Sequence, residues 1–382
     1  MALGMLTSEL PLHTLAIQTA LTLRASRRTP LRSWRGGAAI GLSAASAAGL
    51  LRLHRAANRS GHVFEAALIE GLGSSYLDGV APAIRTRQGV PLTRGEVSVP
   101  TMGRRKRYLR AENLSYGPAG KRNLLDVWRR DDLPLDGRAP VLIQVHGGAW
   151  VMGHKAQQAL PLLSHMAELG WICVSINYRL SPTDLWPAHI QDVMAAIAWT
   201  KANIADHGGD PDFIALSGGS AGGHLTALAA LSANDPRFQP GFEDVDTTVQ
   251  AAVPIYGQYD NTNRSGGSNP TTIAFLAEKI LGTTVDDDLE GWEASSPICR
   301  LHADAPPMFV IHGTNDAFLP VEQARAFVAA ARDESSNPVV YAELPYAQHG
   351  FDGLRTTRVH HLVNAIERFL THVHSTAGRP ET

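Results

Sequence analysis

From residue 108 onward the sequence alternates between two kinds of segment, and nothing else in the chain limits its fold so tightly. Strand-like runs stand at "YLRAENLSY", "NLLDVW", "VLIQVHG", "ICVSINY", "FIALSG", "AAVPIYG", "MFVIHG" and "VVYAEL". Helical patterns lie between the later ones, at residues 156–169, "PAHIQDVMAAIAWTKAN", "AGGHLTALAALSA", "VEQARAFVAAARD" and "HHLVNAIERFLTHV". Such alternation predicts the α/β class: a mostly parallel, doubly wound, eight-stranded sheet with helices on both faces. Several inner runs are apolar throughout rather than at every second residue, as strands buried on both faces must be.

Two segments break the alternation. Residues 1–107 read as helices interrupted by Gly and Pro, ending in "VPLTRGEVSVPTMGRRKR". Residues 258–305 fall between the sixth and seventh strands. Insertions on an open α/β sheet commonly cover the ligand site at the carboxyl ends of the strands. The expected organisation is a basic, helical N-terminal extension or cap (1–107) and a catalytic domain (108–382) with a cap insertion at about 258–305.

The net charge of −2 conceals an asymmetry: residues 1–110 hold 16 Lys+Arg against 5 Asp+Glu, and the remainder 18 against 31. A basic arm can lie against an acidic domain of its own chain or face anionic lipid. Nothing else resembles a nucleic-acid module, so no nucleic-acid partner is expected. The apolar stretch "AAIGLSAASAAGLL" (38–51) is flanked by arginines and built from Ala, Gly and Ser. It is shorter than the ~20 residues a membrane span needs. It reads as a packed or surface-lying helix, with peripheral membrane contact left open. The first basic residue is Arg24, which makes a poor secretion signal. A cytoplasmic or peripherally membrane-associated protein is expected, and a homodimer stays open. Cys173 and Cys299 form no disulfide framework and read as small buried apolar residues.

The motif with chemical content is "GGSAGGH", directly after the strand-like "FIALSG". Gly218-Gly219-Ser220-Ala221-Gly222 fits G-x-S-x-G, which sets a serine on a sharp strand-to-helix turn. A serine hydroxyl needs a base to take its proton, and the base needs an orienting carboxylate. In chain order these should follow as acid and then histidine. Asp316 stands in the loop after "MFVIHG", and His349 in the loop after "VVYAEL". Both loops leave the same sheet edge as the serine turn, so Ser220, Asp316 and His349 can converge. Asp260, Glu322 and Asp352 are rival acids, and His302, His312, His360 and His361 rival imidazoles. "HGGAW" (His146 to Trp150) follows the strand "VLIQV", where an oxyanion loop belongs. Gly148, Ala149 and Ala221 are the expected backbone donors, with Gly147 a substitute, and His146 is expected to pin the loop. There is no HExxH and no Cys/His grouping, so no metal is implied. Trp150, Trp186, Tyr256 and Phe318 are candidate pocket walls.

Taken together, "HGGAW", "NYRLSPTDLWPAHIQDVMAAIAW", "GGDPDFIALSGGSAGGHL", "SPI", "VIHGTND" and "ELPYAQHGF" resemble the hormone-sensitive-lipase group of bacterial esterases in the α/β-hydrolase superfamily. The likeness runs over about 140–370 and is nearest to actinobacterial members with a long N-terminal extension, which have been linked to membranes or the cell surface. It implies cofactor-free hydrolysis of short- to medium-chain carboxylic esters under a helical cap, with a small-molecule ester as substrate. Three positions depart from that pattern: Gly219 stands where the group has Asp, Ala149 is the third residue of the HGGG loop, and "DAFLP" follows the acid. "HGG-x-W" is also a mark of arylformamidase-like relatives, which leaves an amide or N-formyl substrate as the alternative.

Overall fold

The computed structural model describes residues 2–26, 33–78 and 105–377. Eight strands form one sheet: β1 (Leu109–Ser115), β2 (Leu124–Trp128), β3 (Ala139–Val145), β4 (Ile172–Ile176), β5 (Gly209–Gly219), β6 (Ala251–Ile255), β7 (Met308–Gly313) and β8 (Val339–Leu344). Their spatial order is β1-β2-β4-β3-β5-β6-β7-β8. Only β2 runs against its neighbours β1 and β4; from β4 to β8 every pairing is parallel. All eight expected strands are present. The linker "VPLTRGEVSVPTMGRRKR" lies almost wholly outside the described residues.

Side chains along each inner strand go alternately to two cores. Val141, Ile143 and Val145 of β3 join one, and Leu142 the other; Met308 and Val310 of β7 divide from Phe309 and Ile311 in the same way. The first core is closed by α5 (Ala188–Asn203), α6 (Ala221–Leu231) and α9 (Glu322–Glu334). The second is closed by α4 (Leu160–Glu168) and the last helix, α10 (Thr357–Thr376). Full burial of an apolar side chain contributes about 1.5–3 kcal/mol, so strands apolar at every position are stable only between two such layers.

The N-terminal region does more than sit over the sheet. Helices α1 (Ala2–Glu9) and α2 (Pro11–Ser26) lead into α3, a single 39-residue helix from Trp34 to Leu72. The stretch 38–51 is thus the first half of a longer element. In the second half, Ala57, Phe64, Ala67 and Leu68 recur at helical spacing and are buried; the last three enter the second core, where Phe64 meets Phe309 edge-on. Glu9, at the end of α1, is buried against Arg358 of α10. Thr356 Oγ1 also donates to it, and Arg358 reaches Ser60 of α3 and the Pro345 carbonyl. Extension and sheet domain are therefore joined through a buried ion pair.

The insertion supplies α7 (Pro270–Phe275), a π-helical turn at Leu276–Leu281 and α8 (Leu289–Ala294). It packs on α6 through the Ser295 carbonyl, which bonds His224, and on α9 through Gln323, which accepts from the amides of Tyr259 and Asp260. Cys173 is buried in β4 as expected. Cys299 is exposed, against expectation, because it falls on a short surface 3-10 turn after Pro297.

Candidate active site

Strand β5 ends at Gly219 and α6 begins at Ala221, so Ser220 alone makes the turn. It does so with φ 60° and ψ −124°, a conformation side chains seldom adopt. Glycines permit this. A Cβ on Gly222 would stand 2.2 Å from the Val145 carbonyl oxygen, so no larger residue lets α6 approach β3 this closely. The Ser220 amide donates to the Ile255 carbonyl at 2.9 Å, which ties the turn to β6.

Three loops then meet. His349 Nε2 lies 2.8 Å from Ser220 Oγ, and His349 Nδ1 lies 2.7 Å from Asp316 Oδ2. The other Asp316 oxygen accepts the amides of Phe318 and Leu319 at 2.9 and 2.8 Å. All three side chains are nearly buried. Burial alone would raise Asp316, but the hydrogen bond from His349 and the nearby imidazoles of His349 and His312 hold it below the usual carboxylate range. With the carboxylate ionised, Nδ1 carries the proton and Nε2 presents its lone pair to the serine.

None of the rival groups bonds Ser220 among the described residues. Asp260 accepts from Thr262 and Ser265 within its own loop. His312 donates to the Leu319 carbonyl, its ring held neutral by burial. Glu322 opens α9, while His360 and His361 lie on α10.

"HGGAW" forms the expected loop after β3. Gly148, Ala149 and Trp150 all take positive φ, 126°, 51° and 59°. The amides of Gly148, Ala149 and Ala221 donate to no acceptor among the described residues. Gly147 is different: its amide donates to Gln158 Oε1 at 2.7 Å, so it is no substitute donor. His146 Nδ1 hydrogen-bonds the Gly147 carbonyl, its ring stacks on Tyr178, and Tyr178 Oη donates to the His146 carbonyl. Burial pushes His146 down to about 4, so it is neutral and braces the loop. Gln158 lies in no motif, and Tyr178, though it stands in "NYRLSP", gives no local sign of its contact with His146.

The four pocket candidates divide. Phe318 is exposed and its ring lies 5.1 Å from His349. The Tyr256 ring lies 4.8 Å from the same imidazole. Trp150 and Trp186 instead pack around His224, one helical turn beyond Ser220. Trp150 is core, with its Nε1 donating to His224 Nδ1. Their rings pack on His224 and so help to seat α6.

Tyr256 also explains Gly219. A Cβ at 219 would meet Tyr256 Oη at 2.6 Å and its ring at 2.9 Å. Tyr256 Oη donates to Asp352, whose carboxyl burial pushes up against the lowering effect of that bond. The space that an aspartate at 219 would need is thus filled by a tyrosine whose own carboxylate partner comes from beyond His349. Gly219→Ala is expected to displace Tyr256, lower stability by about 1–3 kcal/mol through overpacking, and reduce kcat more than it raises KM. Thermal unfolding and steady-state kinetics on one ester check this; an unchanged Tm and kcat would show that the contact yields freely.

Comparison with known proteins agrees with this geometry. Residues 130–330 match the BD-FAE family model. The chain is 48% identical over 378 residues to the probable carboxylic ester hydrolase LipM of Mycobacterium tuberculosis, covering 98% of this chain and 86% of that one. The chain belongs to the BD-FAE family and is a carboxylic ester hydrolase.

Esterase LipQ of the same organism is 49% identical, over 82% of this esterase and 75% of LipQ. Among solved structures, Thermogutta terrifontis esterase 2 phosphonylated by sarin superposes with TM-score 0.56 at 26% identity, over 63% of this chain and 86% of that one. A truncated carbohydrate esterase from gut microbiota shares the α/β-hydrolase fold, with TM-score 0.60 at 23% identity over 70% and 99% of the two chains. The relatives' names favour an ester over the amide or N-formyl alternative.

Proposed function

We propose that the esterase cleaves short- to medium-chain carboxylic esters through an acyl-enzyme, with Ser220 as nucleophile, His349 as acid and base, and Asp316 as the orienting carboxylate. The unbroken hydrogen-bond chain from Asp316 through His349 to Ser220, beside three unengaged amides, carries this reading. Ser220 Oγ attacks the carbonyl carbon while His349 Nε2 takes its proton. The oxyanion forms against the amides of Gly148, Ala149 and Ala221, each worth on the order of 3 kcal/mol in such sites. His349 then gives its proton to the departing alkoxide, leaving acyl-Ser220. Water, deprotonated by the same nitrogen, releases the acid and restores the hydroxyl.

The acyl-length assignment draws on a relative: the 26% identical Thermogutta esterase 2 has been described with butyrate bound. Tyr256 and Phe318 place aromatic rings beside the imidazole, which suits an apolar acyl group. In a series of p-nitrophenyl esters from acetate to palmitate, kcat/KM is expected to peak between C2 and C8. A maximum at C12 or beyond would refute the chain-length assignment.

A further inference from the structure

The N-terminal hairpin is built inside out. Helix α2 lies along the first half of α3, and polar side chains hold the two together: Gln18 Nε2 donates to the Ser43 carbonyl, Ser46 Oγ donates to Gln18 Oε1, and Thr22 Oγ1 lies 3.3 Å from Ser43 Oγ. The outward positions are apolar. Ile17, Leu21, Leu23, Trp34, Ile40 and Leu42 are each between 48% and 78% exposed. A water-soluble helical pair places such residues the other way round. Elsewhere among the described residues large exposed apolar side chains are scattered, and scattered ones need no explanation.

The charge pattern says what covers this face. From Leu10 to Ser60 the chain has eight arginines and no acidic residue. Of the described ones, Arg24 and Arg35 stand at the tip of the hairpin, and Arg52, Arg55 and Arg59 follow its uncharged stretch. Apolar side chains bounded at both ends by cations match a surface that is apolar below and anionic at its rim.

We infer that the α2–α3 hairpin docks the esterase onto an anionic lipid bilayer, lying in the headgroup region rather than crossing it. By length and composition alone, helix α3 is long and apolar enough to span. Its second half, however, is committed to the protein core through Phe64 and Leu68. The free, uncharged part runs from Gly36 to Leu51, about 24 Å, against a hydrocarbon thickness of about 30 Å.

The hairpin is rooted beside the catalytic loop. The Arg52 guanidinium lies over the Tyr346 ring, and a Cβ on Gly4 of α1 would stand 3.6 Å from the Gln348 side chain, next to His349. Docking would therefore bring the mouth of the site close to the lipid, where apolar esters concentrate.

The test uses the full chain in flotation with phosphatidylcholine vesicles, with and without one quarter phosphatidylglycerol, and compares the double variant Leu21→Glu/Leu42→Glu. The parent is expected to float with the anionic vesicles, about tenfold more weakly with neutral ones, and the variant to lose about tenfold in partitioning. Turnover of soluble p-nitrophenyl acetate should be equal in both proteins, since neither position touches the site. Vesicle binding is independent of the catalytic assignment, so either can fail alone. A parent that stays in solution with both vesicles, or a variant that binds as well, would overturn the proposal. So would a soluble dimer that the variant dissociates, or protein that resists alkaline extraction from the vesicles.

Discussion

Ser220→Ala is expected to leave a folded protein whose kcat on p-nitrophenyl acetate is lower by roughly 10⁴-fold or more. That is about 5.4 kcal/mol of lost transition-state stabilisation. Both residues carry a Cβ, so the cost of holding φ near 60° is the same in each, and the Tm should shift little. The variant keeps the three free amides and the imidazole but has no atom to form the acyl bond. A fluorophosphonate probe should label the parent and not the variant. Activity above about one part in a hundred in a contamination-free preparation would mean that another group attacks the ester.

Asp316→Asn should cost about 10⁴-fold in kcat, a magnitude taken from the corresponding change in a well-studied serine protease. The geometry here gives the reason. Oδ1 accepts two backbone amides, from Phe318 and Leu319, and only an oxygen can do that. The asparagine NH₂ is therefore forced toward His349, where Oδ2 now accepts from Nδ1. Nδ1 must then become the acceptor, the ring proton moves to Nε2, and Ser220 loses its base. Size and fold are preserved, so circular dichroism and Tm should stay near the parent's. A loss of less than tenfold would show that a second carboxylate orients the imidazole; Asp352 would be the first to test, and its engagement with Tyr256 argues against it.

The same bonds fix the sign of the acid response. Asp316 is held below the usual carboxylate range, so its charge persists as pH falls through that range and is lost only beneath it. The contribution of that charge to kcat should therefore survive down to the bottom of the carboxylate range. A kcat profile with a step at or above the ordinary carboxylate pKa that Asp316→Asn removes would contradict this.

The strand–helix alternation, the apolar inner strands and the two glycine motifs were enough to locate the sheet, its helical cover and the turns at its edge. These signals are local: each depends on residues within a few positions of one another, where side-chain period and backbone freedom act directly. The order Ser220, Asp316, His349 was legible for a related reason, because parallel strands deliver their following loops to one edge. What lay beyond reach were partnerships between residues far apart in the chain. Nothing around Gln158 announces that it holds the Gly147 amide, and nothing around Asp352 announces that it engages Tyr256 and so keeps position 219 free of a side chain. Trp150 and Trp186 looked like pocket walls until the packing around His224 absorbed them. The charge and composition of residues 10–60 were likewise plain in the sequence. Only tertiary structure decided that half of α3 is core and the other half turns its apolar side outward, because burial depends on which surfaces meet and periodicity says only which residues share a face.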